Sequence, residues 1–185
     1  LAGHSDCLIG TISSADEATA KAVFSALLQL GSNVSADDAY LALRGVRTLA
    51  VRMARHQETG LKLAKWLAKR PEVDTVLHPA LKTCPGHAIW KRDFTGASGL
   101  FSVILKPVPL PALKAYFNAL KLFGIGFSWG GFESLCVHAR PEMSRTAEPW
   151  QEEGPTIRFH AGLEDADDLI SDLDRAFAAM NAAKG

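Results

Sequence analysis

The sequence is short of several things, and each shortage excludes a class of protein. No apolar run approaches the roughly 18–20 residues that span a bilayer, so a membrane protein of the helical kind is not expected. Charge of one sign is missing as well. Lys plus Arg is 20 and Asp plus Glu is 20, a formal net charge of zero over 185 residues. A protein held to nucleic acid by phosphate neutralisation would show a basic excess. Cysteine is scarce and odd in number. Cys7, Cys84 and Cys136 lie far apart and form no CxxC motif, so neither a zinc site nor a dithiol redox pair is expected. Three reduced, structural thiols suit a cytoplasmic setting. The six histidines show no HxxxH or HExxH spacing, and no GxxxxGK[ST] loop occurs. Internal repeats and low-complexity tracts are missing too.

What is present is an ordinary globular composition, 48% hydrophobic and 22% charged, with material for a buried core. The chain opens at Leu1 without a charged segment followed by an apolar one, so a secretory leader is not expected. Its first residues read instead like the middle of a domain. Cys7 to Ile12 is an apolar run that reads as a buried strand. Ser13, Ser14 and Asp16 offer N-caps for a helix to Leu30, closed by Gly31. One strand and one helix in residues 1–34 cannot bury a core, so further partners are expected upstream. From Ser35 to about Lys69 no proline intervenes, and leucines recur at helical spacing through Gly45 and Gly60. One long connecting helix over 35–70 is expected, ended by Arg70-Pro71.

Residues 71–185 change texture. Short strands are expected at Val73–Leu77, Gly99–Leu105, Leu135–His138 and Thr156–His160. Helices are expected from about Ala112 to Leu122 and from Asp165 to about Ala182, with a short one near His87–Trp90. The spacing implies an α/β sandwich whose mixed or antiparallel sheet has one face covered by helices.

Three places could carry chemistry. The first is Gly124-Ile-Gly-Phe-Ser128-Trp129-Gly130-Gly131. It is either a tight turn or a backbone that approaches a ligand, with Ser128 and Trp129 facing it. The second is Arg158. In Ile157-Arg158-Phe159 the apolar pair faces one side and Arg158 the other. That other side is solvent or a cleft; in a cleft, the planar guanidinium suits a carboxylate. The third is Arg44, Arg47, Arg52 and Arg55, which wrap broadly around a helix and read best as ion-pairing positions. His4 and Asp6 would share one side of a strand. None of these amounts to a complete catalytic set.

Several segments, taken in order, do match a family. Ala2-Gly3-His4-Ser5-Asp6, Leu43-Arg44-Gly45-Val46-Arg47-Thr48-Leu49, Arg52-Met53, Ser128 to Leu135 and Ile157 to Glu164 together resemble the pyridoxal-phosphate enzymes of cysteine and methionine metabolism. Ser128-Trp129-Gly130-Gly131 is similar to the β-lyase branch, whereas relatives acting at the γ-carbon more often carry Ser-Leu-Gly-Gly. Pro85-Gly86-His87 through Gly96 agrees with the β-lyase likeness.

The resemblance implies the C-terminal part of an aspartate aminotransferase-like fold. Residues 1–34 would be the end of the large domain, 35–70 the connecting helix and 71–185 the small α/β domain. It implies pyridoxal 5'-phosphate as cofactor, with the lysine that forms the internal aldimine two residues before Leu1. It also implies an amino-acid substrate, cleavage of cystathionine to homocysteine, pyruvate and ammonia, and a homotetrameric parent without nucleic-acid or membrane partners. Arg158 would hold the substrate α-carboxylate, Ser128 and Trp129 would line the substrate side, and no catalytic residue would lie in this chain. A non-catalytic assembly module and a γ-lyase or γ-synthase relative are the alternatives.

Overall fold

The computed structural model describes residues 1–184 and divides into two compact units, residues 1–50 and residues 51 onward. The division falls inside the stretch expected to form one connecting helix.

In the first unit, α1 (Glu17–Leu30) starts where Asp16 accepts the Thr19 N–H, and ends at Gly31, which adopts φ +65°. α2 (Ala36–Val46) starts at Ser35, whose hydroxyl accepts the Asp38 N–H. Both starts follow from the need to satisfy the first helical N–H groups. The strand expected over Cys7–Ile12 does not form, and Leu8 is 97% exposed. A strand exists only by pairing, and no other strand occurs among the described residues 1–50.

The expected single helix over 35–70 is two helices. α2 stops at Val46, and α3 (Leu49–Leu67) begins after a break at Arg47–Thr48. Both the Thr48 N–H and its hydroxyl donate to the Gly45 carbonyl, at 3.1 and 3.2 Å, which tightens the turn and diverts the helical ladder. Gly45 itself is obligatory, since a Cβ there would lie 2.4 Å from the Ala2 carbonyl oxygen.

Alternation and antiparallel pairing build the second unit. Its strands are β1 (Val73–Leu77), β2 (Leu100–Leu105), β3 (Gly124–Ile125), β4 (Leu135–Ala139) and β5 (Thr156–His160). They form one sheet in the order β1-β2-β5-β4-β3, antiparallel except for the short parallel pair β3 and β4. α4 (His87–Asp93) precedes β2, α5 (Leu110–Ala119) follows it and α6 (Ala166–Ala182) follows β5. Phe101, Cys136 and Phe159 form one row across β2, β4 and β5. They point into a core shared with Leu63 and Leu67 of α3, Tyr116 of α5 and Phe177 of α6. Full burial of a side chain such as Phe159 contributes about 1.5–3 kcal/mol. This bears out the mixed α/β architecture.

Asp172 of α6 fixes the exit from α5. Its fully buried carboxylate accepts the backbone N–H groups of Lys121, Leu122 and Phe123 at 2.9, 2.9 and 3.0 Å, and pairs with Arg175. α5 therefore ends at Ala119, short of the expected Leu122, because the N–H groups of Lys121 to Phe123 bond to this carboxylate. Beside it the Cys136 thiol is pushed up to about 12 by burial and then by Asp172, so it is not a nucleophile at neutral pH.

Candidate functional site

β5 runs through the middle of the sheet, and its alternate side chains divide between two faces. Ile157 and Phe159 enter the core; Arg158 and His160 point to the opposite face. There Arg158 lies between Ser102 of β2 and Val137 of β4. Its Nη2 donates to the Phe127 carbonyl at 2.5 Å and lies 3.5 Å from the Ser128 carbonyl oxygen. The guanidinium also stands 5.4 Å from the centre of the Phe127 ring. No ion pair of Arg158 with a carboxylate occurs among the described residues. A half-buried cation anchored to backbone carbonyls, with donor groups to spare, is ready for an anion from outside the chain.

Ser128 and Trp129 follow directly along this loop. Both are exposed, Trp129 at 63%. The structure thus brings Arg158 and Ser128 together and places Trp129 beside them. Gly130, with φ +80°, turns the loop back. Its return is stitched to the residues after β5. The Leu163 N–H donates to Phe132 at 2.8 Å, the Gly162 N–H to Ser134 Oγ at 2.8 Å, and Ser134 donates to Glu164 from both its N–H and its hydroxyl, at 2.8 and 2.7 Å.

Sequence reasoning missed His160, Ser134 and Glu164. For His160 the signal was available, since it stands two residues beyond Arg158 and so shares its face. For Ser134 and Glu164 the partners lie 30 residues apart and leave no local pattern.

The other candidates fall elsewhere. Arg44 and Arg47 are exposed in the first unit, whereas Arg52 and Arg55 belong to the second. Arg55 pairs with Glu58 and Asp165 at 3.6 and 3.8 Å, an ion-pairing role. His4 and Asp6 are exposed and lie on no strand; His4 Nδ1 bonds to the Ala2 carbonyl at 3.0 Å. No group of three or more potential metal ligands occurs among the described residues, and no described helix is long and apolar enough to cross a membrane.

A separate cavity of about 740 Å³ is lined by Met53, Gln57, Ile89, Trp90, Phe94 and Ser98, among others. It contains no ionisable side chain and so offers shape without acid, base or counter-ion.

This fold agrees with the comparisons. The family model described as Cys/Met metabolism PLP-dependent enzyme matches residues 1–178, and the chain belongs to that family. It is 47% identical over 184 residues to the cystathionine beta-lyase MetC of Escherichia coli, covering 97% of this chain and 46% of that protein. It is 48% identical over 175 residues to the cystathionine beta-lyase of Bordetella avium, covering 94% and 44%. A crystal structure of cystathionine gamma synthase from Xanthomonas oryzae pv. oryzae in complex with cystathionine superimposes with a TM-score of 0.89 at 32% identity, over 98% of this chain and 48% of that one. The chain thus spans about half the length of the curated relatives it matches.

Pyridoxal phosphate is the cofactor of this family. Its aldehyde requires an amine. Neither residues 122–134 nor residues 155–165 contain a lysine, so the donor set around Arg158 is a guanidinium, a hydroxyl and an indole. That set does not fit the reactive end of the cofactor; it fits the carboxylate and side chain of an amino acid.

Proposed function

We propose that this chain is the C-terminal, substrate-orienting part of a cytoplasmic, homo-oligomeric carbon–sulfur β-lyase of this family, acting on cystathionine. The observation that carries the reading is Arg158: a half-buried guanidinium without a carboxylate of its own, tied to the Ser128-Trp129-Gly130-Gly131 loop. The α-carboxylate of cystathionine completes its hydrogen bonding. Ser128 and Trp129 then flank the substrate, and holding the carboxylate fixes which bond at the α-carbon faces the reacting partner. Cleavage with water yields homocysteine, pyruvate and ammonia. The lysine that carries the cofactor belongs, in this reading, to the part of the relatives' length that the chain does not span, so the chain alone is inactive.

Residues 1–34 are read as the end of a larger cofactor-binding domain, 35–70 as the connector and 71–185 as the small domain. The uncovered apolar side chains of α1 support this. Phe24, Leu28 and Leu30 are exposed, and α1 has no buried residue.

The test uses the full-length enzyme. Arg158→Ala is expected to raise KM for cystathionine about 100-fold, the loss of a charge-assisted hydrogen-bonded pair. Arg158→Lys is expected to recover only part of this, since an ammonium cannot match a carboxylate with two parallel bonds. An unchanged KM in Arg158→Ala would sink the assignment. Products separate the branches: cysteine and 2-oxobutanoate in place of homocysteine and pyruvate would make the protein a γ-lyase.

A further inference from the structure

We propose that His160 is a positioning residue for the substrate loop, holding the Gly130–Gly131 peptide so that Ser128 and Trp129 are stretched between two anchors on β5. The proposal rests on the carboxylate-binding reading of Arg158 and extends it.

Arg158 grips the loop at Phe127 and Ser128, and His160 grips it two residues beyond Trp129. His160 Nε2 lies 3.1 Å from the Gly131 carbonyl oxygen, while the Gly130 nitrogen lies 3.4 Å from Nδ1 and 3.1 Å from Nε2. One protonation state serves both partners. With the proton on Nε2, that nitrogen donates to Gly131 and the Nδ1 lone pair accepts from the Gly130 N–H. A second proton, on Nδ1, removes the acceptor for Gly130. The ring is 3% exposed, so water does not replace a lost partner.

The surroundings keep the ring neutral. Burial pulls His160 below its ordinary value of 6.5, and His56 and Arg158 act in the same direction, against the Gly131 carbonyl and Glu164. His56 approaches from α3 with ring centres 5.1 Å apart and is itself fixed by its Nδ1 bond to the Ala161 carbonyl at 2.8 Å. Arg158 is a neighbour on the same strand, and Glu164 lies just beyond it, its own backbone carbonyl held by Arg55. The two anchors leave Ser128 and Trp129 between them with little slack, and Gly130 supplies the left-handed turn that lets the chain double back.

The experiment compares His160→Leu with His160→Gln. Leucine removes both hydrogen bonds; glutamine offers one donor and one acceptor. In the 185-residue chain, the Gly130 amide of His160→Leu should exchange with solvent about tenfold faster or more, as expected for a lost buried hydrogen bond, while the Phe101 and Phe159 amides stay protected. His160→Gln should restore protection. In the full-length enzyme His160→Leu should raise KM for cystathionine about tenfold with kcat little changed, and His160→Gln should recover most of it. Unchanged Gly130 exchange in the leucine variant overturns the proposal, as does equal loss of KM in both variants. Should His160→Leu fail to fold, the wild-type chain decides instead. Acidification should release the Gly130 amide before Phe159, and simultaneous release overturns the proposal. Failure of the carboxylate site itself reads differently, as an Arg158→Ala enzyme with unchanged KM whatever His160 does.

Discussion

One helix in each unit, α1 in the first and α6 in the second, starts by the same local chemistry, and the two differ almost wholly in what they bury. α1 and α6 both begin at an aspartate whose side chain accepts a first-turn N–H, and both carry apolar residues at helical spacing. Yet α1 buries none of its residues, whereas α6 buries Leu169, Leu173, Ala176, Phe177 and Met180 against the sheet. Capping and propensity decide where a helix begins and ends, but most helical stability comes from packing its apolar face. α1 therefore shows local helical structure without a packed face, and α6 shows the same kind of start with its apolar face packed.

That contrast can be broken at several points. The largest effect is expected from Phe159→Ala, which empties the centre of the second unit and should cost about 3–5 kcal/mol in urea unfolding followed by amide exchange of β2 and β5. Asp172→Asn should come next, at about 3 kcal/mol. It turns one of the two acceptor oxygens into an amide donor, so at least one of the three N–H groups loses its buried acceptor, and the Lys121–Phe123 amides should lose protection first. Acidification should act more gradually. His78, His138 and His160 are all held below their ordinary value of 6.5, chiefly by burial. In each case the unfolded chain binds the proton more readily. The stability of the second unit is thus fully present above about pH 6.5 and is lost as pH falls through the folded-state values. Urea midpoints that stay flat from pH 7 to pH 5 would contradict this. Asp16→Ala should fray the start of α1 by loss of its cap, read as faster exchange of the Thr19 amide. The smallest effect is expected from Phe24→Ala, within about 0.5 kcal/mol. A loss comparable to that of Phe159→Ala would mean that α1 is packed after all.

The legible parts of the molecule are those written locally. Asp16, Ser35 and Asp165 mark helix starts because capping involves neighbours three residues apart or fewer. The period of two in Thr156–His160 sends Arg158 away from the core without reference to any other segment. The illegible parts depend on partners far along the chain. Cys7–Ile12 has strand composition but no strand to pair with. The break at Arg47–Thr48 carries no proline, and it follows from Thr48 bonding back to Gly45 and from the close approach of Ala2. The clasp on residues 127–134 joins segments about 30 residues apart, so only its β5 end was open to reading: Arg158 by alternation and resemblance together, and His160, which was missed, by the same alternation. The family itself was readable because its signature segments survive as short contiguous strings.

Cys136 gives the second unit a built-in clock. Its sulfur is fully buried, and its proton is held so firmly that an alkylating reagent finds almost no thiolate in the folded sheet. Modification there proceeds only through conformations that expose β4, and so its rate counts the openings of the sheet. Cys7 and Cys84, both partly exposed, mark in the same reaction the time of an unfolded-independent encounter. The ratio of the two rates reports how often the core of the second unit comes apart.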